Sequence, residues 1–188
     1  GSATAFCRAI LEAAGLAVHA HTSPHLVRWH ERYRMGAKVG GKLVEDFVFA
    51  EALRRVAKAN DGQKITVFEI LTAVGFILFS DQPADAVIME VGLGGRFDAT
   101  NVIPNPAVSL IMPVSLDHEP YLGDTVEKIA FEKAGIIKRR CPVVIGQQPF
   151  AGAKDTLVAL AEKAGGPLAV YDQDFLAFLV RLALRFEG

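Results

Sequence analysis

The sequence predicts an α/β fold in which a mostly parallel sheet lies between flanking helices, in three layers. Segments with helical spacing and segments with β-strand spacing alternate along most of the 188 residues. Strands that alternate with helices in this way form parallel sheets that the helices cover. Hydrophobic residues make up 51% of the chain, which is enough for one domain with a sizeable core.

The predicted elements follow the chain in order. A helix over 4–14 has apolar residues at helical spacing and ends at Gly15, and a strand follows over 16–21. Residues 22–41 are polar, aromatic and glycine-bearing, which predicts a long functional loop. The later predicted helices cover 43–59, 66–80, 124–138 and 151–164, and the later strands cover 85–91, 107–113, 142–146 and 167–171.

Composition narrows the functional class. The net charge of −1 gives no electrostatic reason to expect nucleic acid or an anionic membrane surface as a partner. Cys7 and Cys141 lie far apart, without neighbours at metal-ligand spacing, and predict neither a disulfide framework nor a zinc site. The most apolar run, 67–79, is too short to span a bilayer, and no signal peptide opens the chain. We therefore expect a cytoplasmic protein whose partner is a small molecule or another protein, and we also expect the chain to be a monomer.

Two polar side chains lie at the ends of predicted strands. Parallel sheets bind ligands at the carboxyl ends of their strands, so we expect the site at 91–101 and 114–118. Glu90 ends a strand that we expect to be buried on both faces, and it is either a metal ligand or a hydrogen-bonded structural carboxylate. His118 ends a second strand. Its imidazole is either a metal ligand or a structural group whose ring N–H donates to a carboxylate. The glycines after Glu90 permit close approach to a phosphate, but no helix begins straight after Gly95, as a dinucleotide fingerprint requires.

Lys133 and Ser2 are further candidates. Lys133 shares an apolar helix face with Ile129, Ala130 and Ile137. It is either a snorkelling lysine or a desolvated amine that accepts a covalent modification. Ser2 precedes a helix and is either the end of a phosphate-binding loop or a remnant of cloning.

Seven motifs together carry a resemblance to a known family. They are TSPHL at 22–26, ER at 31–32, GG at 40–41, FE at 68–69, EVGLGGRFDATN at 90–101, SLDH at 115–118 and EKAGIIK at 132–138. In this order, over nearly all of 1–175, the chain resembles the folylpolyglutamate/dihydrofolate synthases of the Mur ligase superfamily. The resemblance implies a P-loop, Mur-ligase-type ATP-binding domain over 1–175, while 176–188 stays unassigned.

The resemblance also implies a reaction. An ATP-dependent ligase of this family activates a substrate carboxylate as an acyl phosphate, which the amine of L-glutamate attacks. It uses ATP and two Mg²⁺ ions, with Ser2, Glu90 and His118 as metal ligands. Lys133 matches the lysine that is carbamylated and ligates the second ion. Lys133 and His118 are thus expected to be catalytic.

The remaining site residues are also implied by the resemblance. Asp98 is expected to be a third catalytic residue, which organises the site, and Asn101, with Ser2, is expected to contact ATP. Turn capping is an equally good interpretation of Asp98 and Asn101. Residues expected to bind dihydropteroate or folate are Ser23, Pro24, His25, Arg32 and Phe68, beside Trp29.

Two departures from the family limit this expectation. The glycines and lysine of its phosphate loop would precede residue 1, and its C-terminal domain is not in the sequence. We therefore expect the chain, as written, to lack ligase activity. Two alternative functions are a Mur ligase that acts on a peptidoglycan precursor and a non-catalytic nucleotide-binding module.

Overall fold

The computed structural model describes residues 1–175, which form two compact units. Unit 1 comprises Gly1–Leu93 and Asp98–Val102, and unit 2 comprises Gly94–Phe97 and the described residues after Val102. The predicted unassigned segment, 176–188, lies outside the described residues.

Unit 1 is built around a mixed four-stranded sheet. Strand β1 pairs in parallel with β4 and antiparallel with β2, which pairs antiparallel with β3, so the order is β3-β2-β1-β4. The strands are β1 (Val18–His21), β2 (Tyr33–Met35), β3 (Lys42–Leu43) and β4 (Ala86–Met89), and the helices are α1 (Ser2–Ala13), α2 (Asp46–Asn60) and α3 (Val67–Asp81). Helix α1 packs on β1 and β4, and α3 packs on α2 and β2.

The core of unit 1 lies where α2 and α3 cover the sheet. Tyr33, Val74 and Leu78 are almost completely buried there. Helix α3 begins with a capping box, in which the Thr66 hydroxyl accepts from the Glu69 backbone N–H and the Glu69 carboxylate accepts from the Thr66 N–H. These contacts satisfy backbone donors that the first turn of a helix leaves free.

Two predictions for unit 1 are wrong. The segment 22–41 is not one long loop, because it contains the 3₁₀ turn Trp29–Arg32 and strand β2. Three residues are too few to give a periodic signal, and β2 is defined by its pairing with β1 and by the burial of Tyr33. Strand β4 is not buried on both faces either, because Val87 is 47% exposed.

Unit 2 contains a parallel three-stranded sheet of order β5-β6-β7. Its strands are β5 (Ser109–Ile111), β6 (Val143–Ile145) and β7 (Leu168–Val170), and its helices are α4 (Glu119–Leu122), α5 (Val126–Ala134) and α6 (Ala151–Ala164). Ile129, Ile145 and Leu157 are fully buried where α5 and α6 pack together and on the sheet. The short helix α4 was not predicted, and α5 ends four residues earlier than predicted.

The predicted α/β class is confirmed. Every parallel pair joins strands that are separated along the chain by at least one helix, as the alternating pattern requires. Across residues 1–175, no helix has the length and the apolar composition that crossing a membrane requires.

Candidate functional site

Glu90 directly follows β4 and its carboxylate has defined partners. The Glu90 backbone N–H donates to the carbonyl oxygen of His21 at 3.1 Å, which extends the pairing of β1 with β4 by one residue. Its Oε2 accepts a hydrogen bond from the Ser23 backbone N–H at 3.2 Å, and its Oε1 contacts the Gly1 ammonium group. The side chain is only 20% exposed. The carboxylate is therefore held in place at the strand end, beside the start of helix α1.

Ser2 begins helix α1, immediately after the residue that contacts Glu90. Within residues 1–175, no group of three or more His, Cys, Asp or Glu side chains could hold a metal ion. Mg²⁺, however, is usually held by one or two carboxylates together with substrate phosphates and water. One carboxylate and one hydroxyl at the start of a helix thus fit a Mg²⁺ ion that is bound together with a nucleotide.

Asp98 organises the loop that follows Glu90. Its Oδ2 accepts from the backbone N–H groups of Gly92 and Leu93 at 3.0 and 2.9 Å. Its Oδ1 accepts from the backbone N–H and the hydroxyl of Thr100 at 2.9 and 2.6 Å. The Asn101 N–H donates to the Asp98 carbonyl oxygen at 2.9 Å. Because four donors surround its carboxylate, Asp98 is suited to fixing the loop rather than to transferring protons.

The glycines of this loop allow close contacts with protein groups. A Cβ atom on Gly92 would lie 2.3 Å from Cζ of Phe68, so the loop crosses that ring directly. A Cβ atom on Gly95 would lie 2.8 Å from the carbonyl oxygen of Lys133. Within the described residues, close packing therefore explains why glycine stands at 92 and at 95. Close approach to a phosphate, which the glycine pattern suggested, is not needed to explain these two glycines.

The predicted substrate loop forms a compact aromatic and cationic cluster. Nε of Arg32 donates to Nδ1 of His25 at 3.0 Å, and the His25 ring lies 4.4 Å from the Trp29 ring. The Arg32 guanidinium lies 5.7 Å from the Trp29 ring centroid. Ser23 is joined to Pro24 by a cis peptide bond. His25, Trp29 and Arg32 are thus brought together, whereas Phe68 lies against Gly92.

Glu31 fixes the tip of this loop. Its carboxylate accepts hydrogen bonds from the backbone N–H groups of Leu26, Val27 and Arg28. These bonds, that of Leu26 above all, lower the pKa of Glu31. The side chains of Leu26 and Val27 remain exposed, so the loop presents apolar groups from a backbone that is hydrogen-bonded to Glu31.

His118 and Lys133 belong to unit 2. His118 precedes α4 with a left-handed backbone, at a φ of 53°, and its exposed ring lies 3.6 Å from a carboxylate oxygen of Asp117. Lys133 is half-buried on the face of α5 that carries the fully buried Ile129 and Ala130, as its spacing predicts. Ser2 and Glu90 belong to unit 1, so a site that combines all four predicted metal ligands stays a prediction.

Sequence reasoning missed His21, the last residue of β1. Its side chain is fully buried, and neither ring nitrogen has a hydrogen-bond partner among the described residues. Burial above all, together with the charge of Arg32, lowers the pKa of His21 to about 4, against an opposing effect of the Asp98 charge. The occurrence of two histidines in a predicted strand of a buried sheet was the available signal.

Comparison with curated proteins finds folylpolyglutamate and dihydrofolate synthases. The chain is 39% identical over 179 residues to folylpolyglutamate synthase from Lacticaseibacillus casei, a match that covers 93% of the chain and 41% of that protein. It is 39% identical over 162 residues to dihydrofolate synthase/folylpolyglutamate synthase from Haemophilus influenzae, covering 86% of the chain and 35% of that protein. A scan against protein-family models gives no match.

Solved structures agree with this result. A complex of E. coli FolC with DHPP and ADP superimposes with a TM-score of 0.78 at 34% identity, over 87% of this chain and 38% of that one. A complex of FPGS with AMPPCP and folate gives a TM-score of 0.77 at 35% identity, over 87% of this chain and 40% of that one. The chain spans less than half the length of these relatives. It is therefore a homologue of the folylpolyglutamate and dihydrofolate synthases.

Proposed function

We propose that this chain is the ATP-binding part of a ligase that adds L-glutamate to dihydropteroate, to folate, or to both. The observation that carries the proposal is the Glu90 carboxylate, held by the Ser23 N–H beside the start of α1. Relatives with the same fold have been solved with ADP and DHPP, with AMPPCP and folate, and with Mn, AMPPNP and L-glutamate. These ligands are adenine nucleotides or their analogues, DHPP or folate, and L-glutamate, which are the classes of molecule that such a reaction brings together.

The first step of this reaction transfers the terminal phosphoryl group of ATP to the substrate carboxylate, and ADP leaves. The amine of L-glutamate then attacks the acyl phosphate, so that an amide bond forms while phosphate and a proton are released. The start of α1 offers backbone N–H groups to the nucleotide phosphates. Ser2 and Glu90 would hold Mg²⁺, whose contribution is to neutralise charge on the transferring phosphoryl group.

Other residues complete the proposed site. We assign Asn101 to nucleotide contact and Asp98 to holding the loop between Gly92 and Thr100 in its binding geometry. His118 is a further proposed metal ligand. Lys133 is proposed to ligate a second Mg²⁺ after its neutral amine adds to the carbon of CO₂ and loses a proton. The resulting carbamate supplies anionic oxygen ligands, which suit Mg²⁺.

The substrate pocket is assigned to the cluster of His25, Trp29 and Arg32, with Ser23, Pro24 and Phe68. Flat heteroaromatic rings bind well against aromatic walls that carry a few placed polar groups. The His25 and Trp29 rings form such a wall, and Arg32 adds a positive charge.

Both cysteines, Cys7 and Cys141, are free thiols, which agrees with the proposed cytoplasmic location.

Mg-ATP binding by the chain tests the role of Glu90. We expect Glu90→Gln to weaken the affinity for Mg-ATP, measured by titration calorimetry, at least about tenfold, which corresponds to a loss of about 1.4 kcal/mol. Glu162→Gln, an exposed position on α6, is the matched control and should bind like the unmodified chain. Equal affinity for all three proteins would reject Glu90 as a metal ligand.

The class of substrate is tested by ligand protection and by activity. A dihydropteroate or folate ligand should raise the melting temperature in the presence of Mg-ATP, and a UDP-sugar peptidoglycan precursor should not. The E. coli relative, with its matching segment replaced by this chain, should incorporate glutamate into the same ligand. Protection by the UDP-sugar alone would favour a Mur ligase and overturn the assignment.

A further inference from the structure

The segment Gly94–Phe97 packs against the last turn of helix α5, and both belong to unit 2. The Arg96 backbone N–H donates to the carbonyl oxygen of Glu132 at 2.8 Å. The last four carbonyl groups of an α-helix have no partner within the helix. The Glu132 carbonyl oxygen also accepts from the Gly135 N–H at 3.3 Å, so the segment adds a second, shorter hydrogen bond to the helix end, from a part of the chain more than 30 residues earlier in the sequence.

The Arg96 side chain adds further contacts at the same place. Its guanidinium lies 3.6 Å from a carboxylate oxygen of Glu132 and 5.4 Å from the Phe131 ring centroid. It also lies 4.7 Å from the ring of its neighbour Phe97. A positive charge near a helix C-terminus is favourable in itself. Arg96 therefore contacts two successive residues of the last turn of α5.

Glycines on both sides make this approach possible. A Cβ atom on Gly95 would lie 2.8 Å from the Lys133 carbonyl oxygen and 3.0 Å from that of Glu132. A Cβ atom on Gly135 would lie 2.3 Å from Cα of Arg96. The backbone of Gly94–Phe97 is thus in direct contact with the backbone at the end of α5. Lys133 lies between Glu132 and Gly135, which both contribute to this contact.

We propose that Arg96 is a positioning residue for Lys133. Helix ends open easily because few contacts hold them. The contacts of Arg96 with Phe131 and Glu132 restrict that opening, and so fix the Lys133 backbone from which a long, flexible side chain extends. That the positioning of Lys133 assists carboxylate activation rests on the proposed function. The restraint of Lys133 by Arg96 does not rest on it.

Amine labelling followed by mass spectrometry tests the restraint without a ligase assay. In buffer depleted of CO₂, Arg96→Ala in the full chain should raise the labelling rate of Lys133 by about five- to tenfold, the effect of losing one exposed cation–π contact and one surface ion pair. Amide exchange in 131–137 should accelerate in parallel. Lys128, which lies on the same helix and pairs with Asp124, should be labelled at an unchanged rate.

Two further variants sharpen the test. Arg96→Lys keeps the positive charge and should restore part of the protection. Arg139→Ala, an exposed arginine beyond the end of α5, should match the unmodified chain. Unchanged labelling of Lys133 in a folded Arg96→Ala protein would overturn the proposal, as would equal increases at Lys133 and Lys128. Protection of Lys133 by Arg96, together with a chimera of the E. coli relative that incorporates no glutamate, would instead reject the proposed function and leave the restraint in place.

Discussion

Replacing His21 with leucine should stabilise unit 1, and increasingly so as the pH falls. Strand β1 carries two fully buried histidines in contrasting environments. The ring of His19 contacts the Gln82 carbonyl oxygen at 2.8 Å, and its Nδ1 accepts from the Gly36 N–H at 2.8 Å. His21 lies between the rings of Tyr33 and Phe68, and neither of its nitrogens is paired within residues 1–175.

The expected magnitude follows from the pKa. Burial lowers the pKa of His21 from 6.5 to about 4. Between these values the unfolded chain binds a proton that the folded chain does not, so acid favours unfolding. This loss of free energy of unfolding is absent well above pH 6.5, begins near that pH and is complete near pH 4. At 1.36 kcal/mol per pKa unit, the loss of stability amounts to about 3 kcal/mol.

Urea unfolding at several pH values between 8 and 4.5 measures this effect. Trp29 is the one tryptophan of the sequence and lies in unit 1 with His21, so its fluorescence reports on this unit. At pH 8 we expect His21→Leu to raise the free energy of unfolding by about 1–2 kcal/mol, because an unpaired buried polar group is removed. The advantage should widen as the pH falls.

His19→Leu is the matched control. It leaves the Gly36 N–H and the Gln82 carbonyl without the ring, and should lower the free energy of unfolding by about 2–4 kcal/mol. Curves of stability against pH that run parallel for the unmodified chain and His21→Leu would refute the reasoning. A His21→Leu protein that is less stable at every pH would refute it as well.

Two further substitutions test the packing of α3 by the same measurement. Tyr33→Phe removes the hydroxyl that donates to the Leu71 carbonyl oxygen at 2.7 Å, and should lower the free energy of unfolding by about 1–2 kcal/mol; an unchanged midpoint would show that the bond contributes nothing. Thr66→Ala removes the N-cap of α3 and should cost about 1 kcal/mol, whereas Thr66→Ser should retain most of the stability. Equal stability of these two variants would contradict the capping role.

Local patterns predicted the elements that have strong periodicity or clear ends. The boundaries of α6 were predicted without error, and α3 to within one residue at each end, because their spacing and flanking residues are local signals. The position of Glu90 at a strand end and that of Lys133 on a buried helix face follow from the same kind of signal. The resemblance in the seven motifs then pointed to the family that the comparisons support.

The sequence by itself therefore determined the α/β class, the order of the main elements and the identity of the candidate site residues. Only the tertiary structure decided that β2 is a strand, that Asp98 is surrounded by four donors, and that the two histidines of β1 differ. It also decided that Gly95 and Gly135 serve the docking of one backbone on another. The physical reason is that periodicity reports on neighbours within a few residues, whereas strand pairing, hydrogen-bond satisfaction and close packing depend on groups that are distant in sequence.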